Sequence, residues 1–151
     1  MTNSKLKAKA ALASQIAMID REKFNGAVAD GFYPCAPSTV RGSTRVFDVN
    51  DIVCLRVYGK LLEEGLPPRF AGTRACGLRE LLSRYPDAER VVYVEPDLGS
   101  GVWKLSEDFD SASDFISGIS ISSVREHRLK NIRDRVVFDL TEAASVIGDD
   151  D

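Results

Sequence analysis

The side chains in this sequence best suited to a specific chemistry are basic, amide and hydroxyl groups near its start. They are Arg21, Lys23 and Asn25 in one stretch, Arg41, Ser43 and Arg45 in a second, and Arg56 on a predicted helix. Such groups donate hydrogen bonds to phosphate oxygens, and Arg, Lys and Asn also match the hydrogen-bonding edges of bases. The chemistry that this set predicts is the binding of double-stranded DNA.

The first stretch begins a predicted helix over residues 21–29, which Asp20 caps. The start of a helix also offers free N–H groups to a phosphate. Asn25 is suited to reading adenine, and Arg21 or Lys23 to reading guanine, because their donor patterns fit those bases. For any single charge, a solvated surface position is at least as good an interpretation, so the prediction rests on the set.

The second stretch is a predicted β-hairpin, in which residues 38–40 and 45–47 pair around the sequence R-G-S-T. Gly42 supplies the turn. Arg41 and Arg45 flank this turn, where they are placed to contact phosphates or to enter a minor groove. The hairpin is therefore a candidate wing beside the helix.

A first helix is predicted over residues 1–20, because Ala, Leu and Ile recur there at helical spacing. Ser4 is its expected N-cap. The gap between this helix and the next is very short. A short turn between two helices is the geometry of a helix-turn-helix, whose second helix can lie in a major groove.

The third and fourth helices are predicted from their ends. Asp48 begins the third helix, and Asp51, three residues later, completes a pattern close to a capping box. Gly65 is a natural stop, and Pro67-Pro68 start the fourth helix. An apolar stripe on the third helix and small residues on the fourth predict that the two helices pack closely. On the third helix, Arg56 is expected to add a phosphate contact.

Residues 86–151 predict a smaller α/β region. Residues 90–95 and 102–105 have the pattern of two strands joined by a turn. The acidic and polar segment that follows them is predicted to be a loop. Residues 115–129 are compatible with either a strand or a short helix.

The last predicted helix runs from Ile132 to Ile147, with Asn131 as its N-cap. Its apolar residues form a two-heptad seam of Val136, Leu140, Ala143 and Ile147. This seam is about equally compatible with packing onto the protein's own sheet and with pairing with a second chain.

Four motifs make the sequence similar to the MerR-type winged helix-turn-helix proteins over roughly residues 10–85. L-A-S-Q-I-A-M-I-D matches the first helix and turn, and D-G-F-Y-P matches the exit from the recognition helix. G-S-T-R-V-F-D-V-N-D-I-V-C-L resembles the family's run from the wing into the third helix. L-L-E-E-G-L-P-P resembles the step into the fourth helix.

The resemblance implies an α+β fold, with a winged helix-turn-helix over residues 1–85 and a small strand-and-helix appendage over residues 86–151. It also implies a recognition helix in the major groove and a wing on the DNA backbone. The sequence departs from the family in K-F-N-G-A, where a mid-helix Gly26 costs about 1 kcal/mol relative to alanine. A strand pair also stands where the family has its long dimer helix. Base preferences and promoter twisting are therefore not carried over.

Composition and charge narrow the class of protein. The chain has 151 residues, of which 44% are hydrophobic, so it can bury a real core. Residues 1–84 contain 13 Lys and Arg against 8 Asp and Glu, whereas residues 85–151 contain 7 against 15. The basic part suits phosphate, and the acidic part suits solvent or another protein. No apolar run reaches the ~20 residues of a membrane span, and no secretory signal is recognised, so a cytoplasmic location is expected.

The sequence predicts neither a metal site nor a cofactor. Cys35, Cys54 and Cys76 form no C-x-x-C pair and are interpreted as reduced thiols that serve as small apolar fillers. His127, the only histidine, is expected at the surface, and no His or Cys cluster has zinc spacing. Because no constellation of catalytic groups stands out, an enzyme is the least favoured class.

These observations predict a DNA-binding transcriptional regulator that forms a homodimer through its C-terminal region, since two half-sites raise specificity. One alternative is an excisionase-like architectural protein that bends DNA. Another is a protein-interaction module with a winged fold that does not touch DNA, which the charge-poor recognition helix favours. A small effector held by Tyr93 and Trp103 is a lesser possibility.

Overall fold

The computed structural model describes residues 6–40 and 44–147, with only the backbone described at residues 40, 146 and 147. These residues form a mixed α+β fold with five α-helices and two antiparallel sheets. The first elements are β1 (Lys7–Lys9), α1 (Ala10–Ala17), α2 (Arg21–Ala29), β2 (Thr39–Val40), β3 (Thr44–Asp48), α3 (Val49–Glu63) and α4 (Pro68–Arg84). They are followed by β4 (Arg90–Pro96), β5 (Val102–Leu105), a 3₁₀ turn (Ser106–Asp108), β6 (Phe115–Ile116), β7 (Ile119–Arg128) and α5 (Leu129–Ile147).

The first sheet has the strand order β1-β3-β2, and its β1 corrects the prediction of one helix over residues 1–20. Lys7–Lys9 is a strand, in which Ala8 lies opposite Phe47 of β3 and both side chains are buried. Alternation of exposed lysines around a buried alanine suits a strand with one covered face. Its partner is distant in sequence, so local helical spacing could not reveal it. Ser4, the expected N-cap, lies outside the described residues.

The turn between α1 and α2 is short. Met18 adopts a left-handed conformation with φ 63° and ends α1; its N–H donates to the Gln15 carbonyl, and the Ile19 N–H donates to the Ser14 carbonyl. Asp20 then caps α2 by accepting a hydrogen bond from the Lys23 N–H at 2.9 Å, which confirms the predicted helix over 21–29. The two helices therefore meet at an angle that the left-handed residue and the cap define together.

The hairpin and α3 are joined by the predicted capping box. The Asp48 carboxylate accepts from the Asp51 N–H at 2.7 Å, and the Asp51 carboxylate accepts from the Asp48 N–H at 3.0 Å. Arg79 of α4 donates to Asp51 at 2.7 Å and to Asp48 at 3.3 Å. Since Asp48 is also the last residue of β3, this cluster ties the hairpin to both helices. The predicted hairpin turn, with Arg41 and Ser43, lies outside the described residues.

Helix α4 packs against α3 and also approaches the loop that follows α2 closely. A Cβ built on Gly72 would lie 1.8 Å from the carbonyl oxygen of Phe32, so only glycine fits there. Next to that contact, Tyr33 is buried and stacks edge-on against Phe24 of α2 and Tyr58 of α3. The loop after α2 is therefore held between three helices.

The second sheet has the order β5-β4-β7-β6, and it confirms the two predicted strands at 90–95 and 102–105. The ambiguous segment 115–129 is mainly the strand β7, which pairs antiparallel with β4. One face of this sheet contacts α4, where the Trp103 indole N–H donates to the Arg74 carbonyl at 2.9 Å. The sheet is thus attached to the helices through Trp103, as a core anchor.

Helix α5 begins at Leu129, three residues before the predicted start, so Asn131 lies inside its first turn and is not its cap. Strand β7 runs directly into the helix, and Leu129 is fully buried. Of the predicted seam, Val136 and Leu140 are buried in the chain's own core, and α5 packs mainly on α3, with smaller contacts to α1 and to β4 of the second sheet. One core therefore runs across residue 85, where the two predicted regions meet.

Two predictions about titratable groups are wrong. His127 is 5% exposed, since the alternation of β7 turns it inward against Trp103, with ring centroids 5.4 Å apart. Cys35 and Cys76 are joined by a disulfide across 41 residues, with Cα atoms 5.4 Å apart. Cys54 is a free buried thiol, as expected of a small filler. Sequence spacing carries no information on which distant residues a fold brings together.

No helix among the described residues is long and apolar enough to cross a membrane.

Gly72 and Gly26 form a matched pair for a stability measurement. We expect Gly72→Ala to lower the free energy of unfolding by about 3 kcal/mol, because the new methyl group meets the Phe32 carbonyl. Gly26→Ala should raise it by about 0.5–1 kcal/mol, since nothing lies within 4 Å of that position and alanine favours the helix. Urea unfolding of both variants checks this. Equal effects at the two positions would contradict the packing described.

The stability of the protein should depend on His127 at mildly acidic pH. Burial, reinforced by Arg125 and Lys60, lowers the pKa of His127 to about 4. The unfolded chain then binds the proton more readily than the folded one, so stability is complete above pH ~6.5 and falls by up to about 3 kcal/mol as the pH drops towards 4. His127→Gln should remove this part of the pH dependence. An NMR titration of the only histidine with a midpoint near 6.5 would contradict the burial.

Candidate nucleic-acid interface

A groove with a volume of about 410 Å³ brings together four of the elements at the N-terminal end of the fold. Its lining residues are Lys9, Ala10, Ala11, Arg21, Asn25, Thr44 and Arg45. They come from β1, the start of α1, the first two turns of α2, and β3. Three of the predicted DNA-contacting residues, Arg21, Asn25 and Arg45, thus lie in one groove.

Helix α2 presents Arg21 and Asn25 on the same face because they are four residues apart. A different face of the helix carries Phe24 and Ala27, which are buried. The Phe24 ring lies 5.8 Å from Phe47 of β3, in an edge-on contact. Hydrophobic packing behind the helix therefore fixes its polar face relative to the hairpin.

Arg45 is half-buried, and its guanidinium donates to the carbonyl of Pro37 in the loop before β2. This bond uses one of the five N–H donors of the side chain and leaves the others for a ligand. Arg45 is therefore positioned by the loop and still faces the groove.

The remaining predicted contacts are distributed differently. Lys23 is exposed on α2 but does not line the groove, and Arg41 and Ser43 lie outside the described residues. Arg56 pairs with Glu63 at 3.5 Å and lines a separate groove of about 530 Å³ with Met18 of the α1–α2 turn. The structure does not bring Arg56 to the groove of Arg21 and Arg45.

Two polar lining residues, Lys9 and Thr44, were not among the predicted site residues. Lys9 lies in a stretch that was predicted to be helical; as part of β1 it lies opposite Val46 and lines the groove together with Arg45. Thr44 lies in the hairpin sequence itself, R-G-S-T, and its position next to Arg45 was a usable signal. A hydroxyl in such a place is a common donor to phosphate.

The groove is cationic. Its described lining contains Lys9, Arg21 and Arg45 and no carboxylate. Two exposed carboxylates adjoin Arg21 in sequence, those of the N-cap Asp20 and of Glu22 on α2, and both lie outside that lining. Three positive charges around a concave surface raise the local concentration of phosphate groups. In contrast, no group of His, Cys, Asp or Glu in the described part of the chain could hold a metal ion.

Comparison with known protein-family models gives no match, and no curated protein is significantly similar to this chain.

Proposed function

We propose that this protein is a sequence-specific DNA-binding transcriptional regulator of the MerR-like winged helix-turn-helix type. In this proposal α2 is the recognition helix in the major groove, and the β2–β3 hairpin is a wing that contacts the DNA backbone. The observation that carries the proposal is the cationic groove in which Arg21 and Asn25 of α2 lie with Arg45 of the hairpin.

The residue types in the groove divide into two roles. Lys9, Thr44 and Arg45 come from the sheet and suit phosphate contacts, which fix the register of a protein on a duplex. Asn25 and Arg21 come from the helix and suit adenine and guanine edges in the major groove. Sequence-specific recognition requires both base contacts and phosphate contacts, and in this proposal the helix makes the first and the strand makes the second.

The packing behind the groove also supports this role. The centroid of the Phe24 ring lies 5.2 Å from that of Tyr33 and 5.8 Å from that of Phe47. These ring contacts join α2, the following loop and β3 into one unit. All three rings are buried. A rigid interface loses little conformational entropy on binding, so its contacts translate into affinity.

A homodimer remains part of the proposal, because a single head contacts little DNA and two half-sites raise specificity. The seam of α5, however, is largely occupied: Val136 and Leu140 are buried within the chain itself. A dimer therefore has to form through surfaces other than this seam.

The proposal predicts different effects for two groove variants. A duplex selected from a random pool is compared with its scrambled version by fluorescence anisotropy at several salt concentrations. Lys9→Gln should weaken binding to both duplexes and lower the slope of log K against log salt by about 0.9, because one phosphate contact is lost. Asn25→Ala should weaken only the selected duplex, by about 1–3 kcal/mol.

Arg128→Gln is the matched control, since it removes one positive charge from a 64% exposed side chain outside the groove. It should leave both affinities nearly unchanged. Failure of the wild-type protein to bind any duplex, or binding without salt dependence, would refute the proposal. The bound duplex can also be run on a gel as a set of fragments that differ in the position of the binding site. A strong dependence of mobility on that position shows bending, and it would instead identify an excisionase-like architectural protein.

One observation favours a second candidate, a protein-interaction module that does not touch DNA. Glu22 lies between Arg21 and Lys23 on the exposed part of α2, so the helix carries less net positive charge than the groove. If the protein is such an interaction module, replacing both Lys9 and Arg45 by glutamine would leave the activity of the protein in its cell unchanged.

A further inference from the structure

The Cys35–Cys76 disulfide holds the loop that connects α2 to the hairpin of the candidate interface. Cys35 belongs to the loop between α2 and β2, and Cys76 to the middle of α4. The Cys35 N–H also donates to the Cys76 sulfur at 3.2 Å. Both residues are only partly buried, whereas Cys54 is fully buried and is a free thiol. The disulfide is therefore the more solvent-exposed of these two sulfur sites.

The loop that contains Cys35 connects the two parts of the groove. On its N-terminal side, Tyr33 packs against Phe24 of α2. On its C-terminal side, the Pro37 carbonyl accepts the hydrogen bond from Arg45 of the hairpin. Cys35 lies between these two contacts and is the covalent link of the loop to α4. A change at Cys35 thus reaches the position of Arg45 through Pro37.

The two ends of the loop are held with unequal strength. At Phe32, the loop lies against Gly72 so closely that a Cβ there would be 1.8 Å from the Phe32 carbonyl oxygen. Tyr33 is buried in the core. Beyond Tyr33, the described hydrogen bonds of the loop are the Cys35 N–H bond to the Cys76 sulfur, an Ala36 N–H bond to the Tyr33 carbonyl at 3.3 Å, and the bond between Arg45 and Pro37. Cys35 and Ala36 also pack partly against the core. The disulfide is the one covalent restraint among these described contacts of residues 34–38.

We propose that Cys35 and Cys76 form a reversible disulfide that controls the shape of the groove. When the two cysteines are oxidised, the loop is fixed and Arg45 is held in place. When they are reduced, residues 34–38 gain freedom and DNA binding weakens. The effect on DNA affinity rests on the proposed function, but the effect on the loop does not.

The oxidant proposed is a small disulfide such as oxidised glutathione. One cysteine thiolate attacks it and releases one molecule of thiol, which leaves a mixed disulfide on the protein. The thiolate of the other cysteine then attacks the protein sulfur of that mixed disulfide and releases the second thiol. Two protein thiols are oxidised, one glutathione disulfide is reduced to two thiols, and reduction of the protein is the reverse exchange.

The first test needs no DNA. The full chain is equilibrated in buffers of reduced and oxidised glutathione, and its free thiols are counted by mass after alkylation. We expect the disulfide to open and close within the range of ratios that cells maintain. Reduction should also lower the melting temperature by about 10 °C, since a 41-residue link no longer restricts the unfolded chain. A disulfide that persists at every ratio would overturn the proposal.

Hydrogen exchange locates the effect within the loop. On reduction, the amides of Cys35 and Ala36 should exchange at least about tenfold faster. The Phe32 N–H, bonded to the Ala27 carbonyl at 2.8 Å beside Gly72, is the internal control and should not change. Equal exchange at Cys35 and Ala36 in both states would show that the disulfide does not restrain the loop, and would refute the proposal.

The DNA measurement then separates the two ideas. Reduction should raise the Kd for a selected duplex about tenfold, if the reduced loop holds Arg45 in place only about a tenth of the time. The double variant Cys35→Ser, Cys76→Ser should bind like the reduced protein whatever the buffer, while Cys54→Ala keeps the redox response. Faster loop exchange with no DNA binding in either state would refute the proposed function and leave the redox inference standing. An unchanged Kd would refute the coupling to the groove.

Discussion

The hydrogen bonds of the Arg79 guanidinium are the interaction on which the rest of the candidate interface depends. The guanidinium bonds Asp51 at 2.7 Å and Asp48 at 3.3 Å, and so joins α4 to the end of β3 and the start of α3. Burial raises the pKa of Asp51, and Arg79 counters that effect by hydrogen bonding to the carboxylate. A carboxylate left in this place without its partner would be costly. Through this junction the hairpin keeps its orientation relative to the helices.

The C-terminal region contributes to the same body. Arg133 of α5 donates to Asn50 at the start of α3 at 3.1 Å and to the Ala88 carbonyl before β4 at 2.8 Å. Arg133 and Arg79 have similar roles, since both side chains bind near the first turn of α3. Helix α3 is therefore the central element of the fold. The excess of carboxylates after residue 85 leaves the attraction for phosphate to the N-terminal part.

Much of the fold was predictable because its signals are local. The N-cap at Asp20, the box of Asp48 and Asp51, and the stop at Gly65 each depend on residues within three or four positions of one another. The same holds for the two strands at 90–95 and 102–105, which a short turn joins. Arg21 and Asn25 could be placed on one face of α2 for this reason, since helical spacing alone defines a face.

The sequence by itself determined the caps, the helix faces and the distribution of charge, all of which are set by neighbours along the chain. Only the tertiary structure decided that Lys9 belongs to a strand beside Arg45, that His127 is buried, and that Cys35 meets Cys76. It also decided that α5 buries its seam within the chain. Each of these depends on residues far apart in sequence, and the contacts that select among such pairings form only when the whole core packs.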